Sequence, residues 1–184
     1  MSQPDPLPRT GKRITLRRLK LEDLEYFQAY RHDLNVGRYQ GWSPQPENAA
    51  ARFLETMNRV DLFEPKTWCQ IGVADRRSDQ LIGDIGVCLS ESGDEAEIGF
   101  TLCTESQGAG LGYEAVSLCI QLLFEQTTIA RIVAITDARN TPSIRLLERL
   151  RMQRIKIVDT LFQGSPCLEY VYSFSPEFDA TNET

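Results

Sequence analysis

The chain has 184 residues, 41% hydrophobic and 25% charged, the make-up of one globular domain large enough to bury a core. A formal net charge of -6 and a pI near 4.9 argue against a nucleic-acid binder, which needs a basic surface to neutralise phosphates, and no apolar run reaches the roughly 20 residues of a membrane span. Five widely spaced cysteines without a CxxC read as reduced thiols of a cytoplasmic protein, and the single histidine, His32, leaves no histidine-rich metal site and one possible base for a cysteine nucleophile.

The first residues, MSQPDPLPRTGKR, hold three prolines and no apolar core, so residues 1–12 are expected as a flexible lead-in rather than a signal peptide. Residues 13–19 alternate as a strand. Residues 21–31 follow as an amphipathic helix with Leu21, Leu24, Phe27 and Tyr30 roughly three apart. Residues 35–46 read as a loop or short helix, and 46–60 as a helix with Ala50, Phe53, Leu54 and Met57 as its stripe. Three strands come next, at 67–74, 81–89 and 95–102, and the short turns between them imply antiparallel pairing. Residues 112–126 form a largely buried helix, 131–136 a strand and 142–150 a helix; strands at 155–162 and 168–174 close the chain as a hairpin around Gln163, Gly164 and Ser165. This order predicts an α/β fold: a single domain over 13–175 with a mixed, mostly antiparallel sheet and packed helices. Residues 176–184 are expected as a flexible tail.

Two stretches carry the chemistry. SQGAGLGYEA places Gly108, Gly110 and Gly112 at a helix start. Glycines there admit positive φ and let a phosphate approach the unpaired N–H groups of the first turn. No GxxxxGK[ST] is present, so this is not a P-loop; what remains is Q-x-x-G-x-G over Gln107, Gly110 and Gly112. One strand later, DARNTPSIRLLERL opens a second helix with Asn140, Thr141 and Ser143, residues that cap helices as readily as they bind ligands. Ligands of α/β sheets sit beyond the carboxyl ends of strands, where both stretches lie.

EAEIGFTLCTESQGAGLGYEAV followed by RIVAITDARNTPSIRLLERLRM resembles the acetyl-CoA-binding core of the GNAT acetyltransferases, in the Q-x-x-G-x-G loop, the Glu-Ala after it and the N-x-x-S-x-x-x-x-E helix opening. LRRLKLEDLEYFQAY and VGRYQGWSP are similar to the RimJ/RimL-like branch, which acetylates ribosomal-protein N-termini. The likeness runs from Arg13 to Phe174. It implies helices on both faces of the sheet and a splayed central strand pair, with the pantetheine arm in the gap. It also implies acetyl-CoA as donor, CoA as product and no metal. The expected contacts are Leu102, Cys103 and Thr104 on the strand, Gln107, Gly108, Ala109, Gly110, Leu111, Gly112 and Tyr113 in the loop, and Asn140 and Ser143 beyond it.

Acetyl transfer needs a deprotonated amine, so a carboxylate or a water relay serves as general base. Glu97 is the first candidate: it faces away from the apolar side of its strand, beside Gly99 and Thr101. The alternative is a solvated strand carboxylate. Ser143 matches a serine that assists the leaving thiolate in the branch, or else only caps its helix. Tyr39 and Trp42 are candidates to line the acceptor groove, or loop anchors on the core; His32 reads as a partner of a helix C-terminus. The sequence departs from the family at three places: Leu146 and Leu147 stand where a general-acid tyrosine is usual, Arg151 stands where the helix ends in glycine, and Glu169 replaces the branch's aspartate.

These residues predict an N-acetyltransferase acting by direct attack of a primary amine, foremost a protein N-terminus, on the thioester. The alternatives are a small-amine acetyltransferase (aminoglycoside or polyamine), a non-catalytic acyl-CoA-binding module, and a nucleotide-phosphate binder, which the missing P-loop lysine disfavours. No nucleic-acid or membrane partner is expected, and monomer and homodimer are both compatible with the sequence.

Overall fold

A computed structural model describes residues 4–176. Eight strands form one sheet in the order β1-β2-β3-β4-β5-β6-β8-β7. β1 (Arg9–Thr10) and β2 (Ile14–Arg18) lead into a 3-10 turn and three helices, α1 (Leu24–His32), α2 (Leu34–Gly37) and α3 (Glu47–Arg59). β3 (Cys69–Asp75), β4 (Leu81–Leu89) and β5 (Glu95–Leu102) follow as an antiparallel meander, then α4 (Leu111–Gln126), β6 (Arg131–Asp137), α5 (Thr141–Arg149), β7 (Gln153–Phe162) and β8 (Ser165–Phe174).

The α/β fold is as expected, with helices on both faces. One core joins Ile14, Ile71, Ile85 and Ile98 to Val116, Cys119 and Leu123 of α4 and Leu147 of α5. A second joins Phe27, Tyr30, Ala50 and Leu54 of α1 and α3 to Leu19 and Leu81. β4, sandwiched between the two, is buried along almost its whole length, and so reads as a continuous apolar run broken only by Asp84.

Three boundaries differ from the sequence reading. Arg9 and Thr10 pair with Leu16 and Thr15, and Leu7 beside them is buried, so the end of the lead-in packs as part of the sheet. Residues 21–23 form a 3-10 turn before α1 proper. The final hairpin is longer and its turn tighter than expected: Phe162 pairs with Ser165 across Gln163 and Gly164, whose φ of 50° and 79° suit a two-residue turn. Of the expected C-terminal tail, residues 177–184 lie outside the described residues.

The pairing of β5 with β6 sets up the site. It is the one parallel pair among the described strands, and it joins only Glu95–Ile98 to Arg131–Ala134. Beyond Ile98 the end of β5 stays on β4, while the end of β6 stays on β8. The strands therefore part halfway along, as the splayed pair predicted.

Candidate active site

The gap between the strands opens into a cleft of about 790 Å³. Its floor is Ile98–Leu102 on one side and Ala134–Thr136 on the other; the starts of α4 and α5 form one wall, and residues 35–40 of α2 and its following loop another.

The α4 wall is made by backbone. Gly110 caps the helix at φ 79° and Gly108 before it lies at φ 75°, a conformation that costs other residues about 1–2 kcal/mol. Gly112 answers a different need, because a Cβ there would stand 2.8 Å from Leu146 Cδ1. Among the described residues, the N–H groups of Gly108 through Tyr113 have no hydrogen-bond partner. The helix start is fixed from behind: Arg13 Nη1 donates to the Ala109 carbonyl at 2.8 Å, and Glu114 accepts from Arg13 N, Arg13 Nε and Ile14 N. Burial works against the Glu114 charge, but these bonds prevail and hold its pKa below the ordinary value.

Two glutamines cover the open edge of β5. Gln107 Nε2 donates to the Leu102 carbonyl at 2.9 Å, and Gln40 Nε2 to that of Phe100 at 3.4 Å. Thr104 donates to Asp33 at 2.7 Å, and Cys103 N–H is paired with Ile82 on β4. At the head of α5, Asn140 Oδ1 accepts from Ser143 N at 3.4 Å, and the Ser143 hydroxyl is without a partner among the described residues.

Of the residues singled out from sequence, Leu102, Gln107, Gly108, Gly110, Gly112, Tyr113, Asn140, Ser143 and Tyr39 line the cleft. Cys103, Thr104, Ala109 and Leu111 belong to the same turn without lining it. Glu97 shares the face of Gly99 and Thr101, as expected, but lies one residue short of the cleft's edge. Burial pushes its carboxyl above the ordinary range, and the charges of Glu95 and Glu169 add to the effect. A Cβ on Gly99 would meet nothing within 4 Å, so the space between Glu97 and the cleft is open.

Trp42 sits elsewhere. It packs 4.3 Å over the Arg31 guanidinium and borders a separate, smaller cavity with Phe27, Phe53 and Gln70. His32 ends α1, its Nδ1 2.8 Å from the Gln28 carbonyl. Cys119 is fully buried, its thiol pushed up to about 12 by burial, which leaves it inert as a nucleophile. Glu148 accepts from Tyr172 Oη at 3.2 Å.

One cleft residue escaped the sequence reading. Asp84, 3% exposed, lies opposite Thr101 on the α1 side of the sheet, and its Oδ2 accepts from Tyr30 Oη at 2.5 Å and Arg31 Nη2 at 2.8 Å. The signal was present: a carboxylate inside the apolar run LIGDIGVCL needs a buried partner or a task.

A parallel pair that parts halfway, with a glycine-rich helix start at the opening, is the architecture of an N-acetyltransferase. The chain belongs to the acetyltransferase (GNAT) domain family, which it matches over residues 13–153. The uncharacterised N-acetyltransferase p20 of Bacillus licheniformis is 31% identical over 166 residues, 89% of this chain and 92% of that protein. The crystal structure of a GNAT-family acetyltransferase from Bacillus anthracis is similar with a TM-score of 0.81 at 21% identity, covering 93% of this chain and 99% of that one. RimL, a ribosomal α-N-protein acetyltransferase solved with coenzyme A, is similar with a TM-score of 0.77 at 11% identity, over 91% of this chain and 96% of that one. Membership makes this chain an acetyl-CoA-dependent N-acetyltransferase. No helix among the described residues is long and apolar enough to cross a membrane.

Proposed function

We propose that the chain transfers the acetyl group of acetyl-CoA to a protein N-terminal amine, in the manner of the RimJ/RimL-like branch. The observation that carries this reading is the halfway parting of β5 from β6, flanked on one side by unpaired amides and on the other by the open surface above Gly99. The amides of Gly108–Tyr113 suit a pyrophosphate, with Gly108 and Gly110 presenting no Cβ to it. Asn140 and the backbone of Leu102–Thr104 would hold the pantetheine arm, and Ser143 would face the sulfur. RimL acts on a ribosomal protein's α-amine, and the likeness to it supports the acceptor class. A reducing cytoplasm suits the five free cysteines.

An α-amine has a pKa of about 7.7–8.0, so much of it is protonated at neutral pH and must first lose a proton. Glu97, its pKa raised by burial, takes that proton through water in the space above Gly99. The neutral nitrogen then attacks the thioester carbonyl. The C–N bond forms, the C–S bond breaks, and the thiolate leaves with the bonding pair. The nitrogen's surplus proton goes to the thiolate, with the Ser143 hydroxyl placed to pass it on. The sum is one acetamide, one CoA thiol and one proton released from the original ammonium.

The test is acetyl-CoA-dependent thiol release against peptides with varied N-termini, polyamines and aminoglycosides. Turnover is expected with peptide α-amines and not with their N-acetylated forms. Turnover of a polyamine or aminoglycoside alone would replace the acceptor assignment with the small-amine one.

A further inference from the structure

We infer that Asp84 Oδ1 is the docking point for the acceptor's ammonium group, so that the acceptor enters the cleft as a primary ammonium ion before it is deprotonated. The inference rests on the acetyltransferase reading above and adds to it where the amine first binds.

The molecule contains its own comparison for a buried carboxylate with a purely structural task. Asp23 is paired with Arg17 through both oxygens, at 2.8 Å each, and its Oδ2 also accepts the Lys20 N–H. Asp137 and Arg139 pair the same way. Asp84 does not. Tyr30 and Arg31 both bind its Oδ2, and Oδ1 has no hydrogen-bond partner among the described residues. Arg31 reaches Asp84 through Nη2 alone; its guanidinium stacks 4.8 Å over Phe27 and 4.3 Å under Trp42, and its Nε is buried with no partner among the described residues. The carboxylate is thus braced in position but left half-satisfied, which in a structural ion pair is a cost without return.

Its surroundings specify the ligand. Asp84 is the one acidic residue lining the cleft; the other charged lining residues are Arg38, Arg139, Arg145 and Arg149. With Arg139 offset by Asp137, a cation entering there meets its one carboxylate at Asp84. Thr101, directly opposite Asp84, lies two residues along β5 from Gly99, about 7 Å of strand, so Asp84 stands beside the surface where the strands part. Glu97 is the same distance beyond Gly99 on the other side. Asp84 first holds the charged amine, and Glu97 takes its proton through water once the amine has moved to the parting of the strands.

Trp42 gives a direct readout, because it stacks on the arginine that holds Asp84 and Trp68 is the one other tryptophan in the chain. In the Trp68→Phe protein loaded with CoA, Trp42 fluorescence is titrated with alaninamide, spermidine and the neutral isostere lactamide. At least one ammonium is expected to bind saturably and lactamide not. Asp84→Asn should weaken that ammonium by about 10- to 100-fold, the loss of one charge-assisted bond, with CoA affinity unchanged. Since Asp84→Asn strands the Arg31 charge, Arg31→Met/Asp84→Asn removes both buried charges and serves if the single variant does not fold. Glu97→Gln is expected to keep ammonium binding while losing turnover. Equal ammonium affinity in either Asp84 variant and the parent protein would overturn the subsite even where peptides are acetylated. Absence of acetyl-CoA-dependent thiol release with every amine tried, by contrast, would overturn the enzymatic reading itself.

Discussion

α5 closes with a backbone motif made for glycine, and the chain places arginine in it. The N–H of Met152 bonds the Leu147 carbonyl at 3.1 Å and that of Arg151 bonds Glu148 at 3.0 Å, the paired bonds of a Schellman cap, with Leu147 and Met152 both buried together. Arg151 accordingly sits at φ 60°. A non-glycine residue there costs about 1–2 kcal/mol, while glycine brings a chain-entropy penalty of about 0.5–1 kcal/mol. Relief of the backbone is therefore worth about 1 kcal/mol, or about 2–4 °C in melting temperature for a chain of this length. Arg151→Gly also removes the arginine's side-chain interactions. Arg151→Ala removes the same interactions but keeps the strain, so the difference between the two variants isolates the backbone. Thermal and urea unfolding should place Arg151→Gly above Arg151→Ala by that amount. Acetyl-CoA affinity should be the same in both, since Asn140 and Ser143 stand at the other end of the helix. Glycine equal to or below alanine would refute the strain argument.

Three further outcomes follow from the site. Because burial raises the Glu97 pKa in the folded state, its ionisation weakens the fold as pH climbs from the unfolded value of about 4.3 through the folded one. Glu97→Gln should gain stability over the parent across that window and hold the gain at pH 7; its turnover should fall about 10²- to 10⁴-fold and lose the acid limb of its pH profile. An unchanged profile would remove Glu97 as the base. Glu114 has the opposite sign: its lowered pKa adds stability above the unfolded value, which disappears as pH falls through the folded one. The Glu114→Gln and parent stabilities should therefore converge on acidification, and a constant gap would count against the Arg13 bonds as the cause. Asn140→Ala should cost about 0.5–1 kcal/mol through the lost cap and weaken acetyl-CoA in isothermal titration.

Legibility in the sequence followed the backbone. Strands β3 to β6 alternate or run apolar because both faces of the sheet are covered, and their places were readable. β1 was not, since the two residues Arg9 and Thr10 carry no period. The last hairpin was underestimated because its outer strand is mostly exposed: Gln153 and Arg154 look like turn residues until β8 pairs with them, and Ser165 of β8 until Phe162 does. The glycine turn was the most readable part of the site, because positive φ at Gly108 and Gly110 and close packing at Gly112 constrain residue type directly.

Side chains that act through tertiary contacts were harder to place, and for a common reason. Alternation put Glu97 on its correct face, yet whether that face meets a cleft depends on where β6 leaves β5, a property of two strands separated by α4. Asp84 went unread, and Trp42 left two readings open, groove lining or loop anchor. Arg31 connects the two, stacking under Trp42 and holding Asp84. Burying a carboxylate on a central strand demands a cation, and holding that cation flat demands an aromatic cover. The tryptophan thus belongs to the site at one remove, as the support of the arginine that braces the carboxylate. Trp42→Leu should leave the cleft walls intact yet free Arg31 for two-point pairing with Asp84. That pairing would neutralise Oδ1 and lower acceptor affinity without changing acetyl-CoA affinity. Unchanged acceptor affinity in Trp42→Leu would mean that the stack does not govern how Asp84 is held.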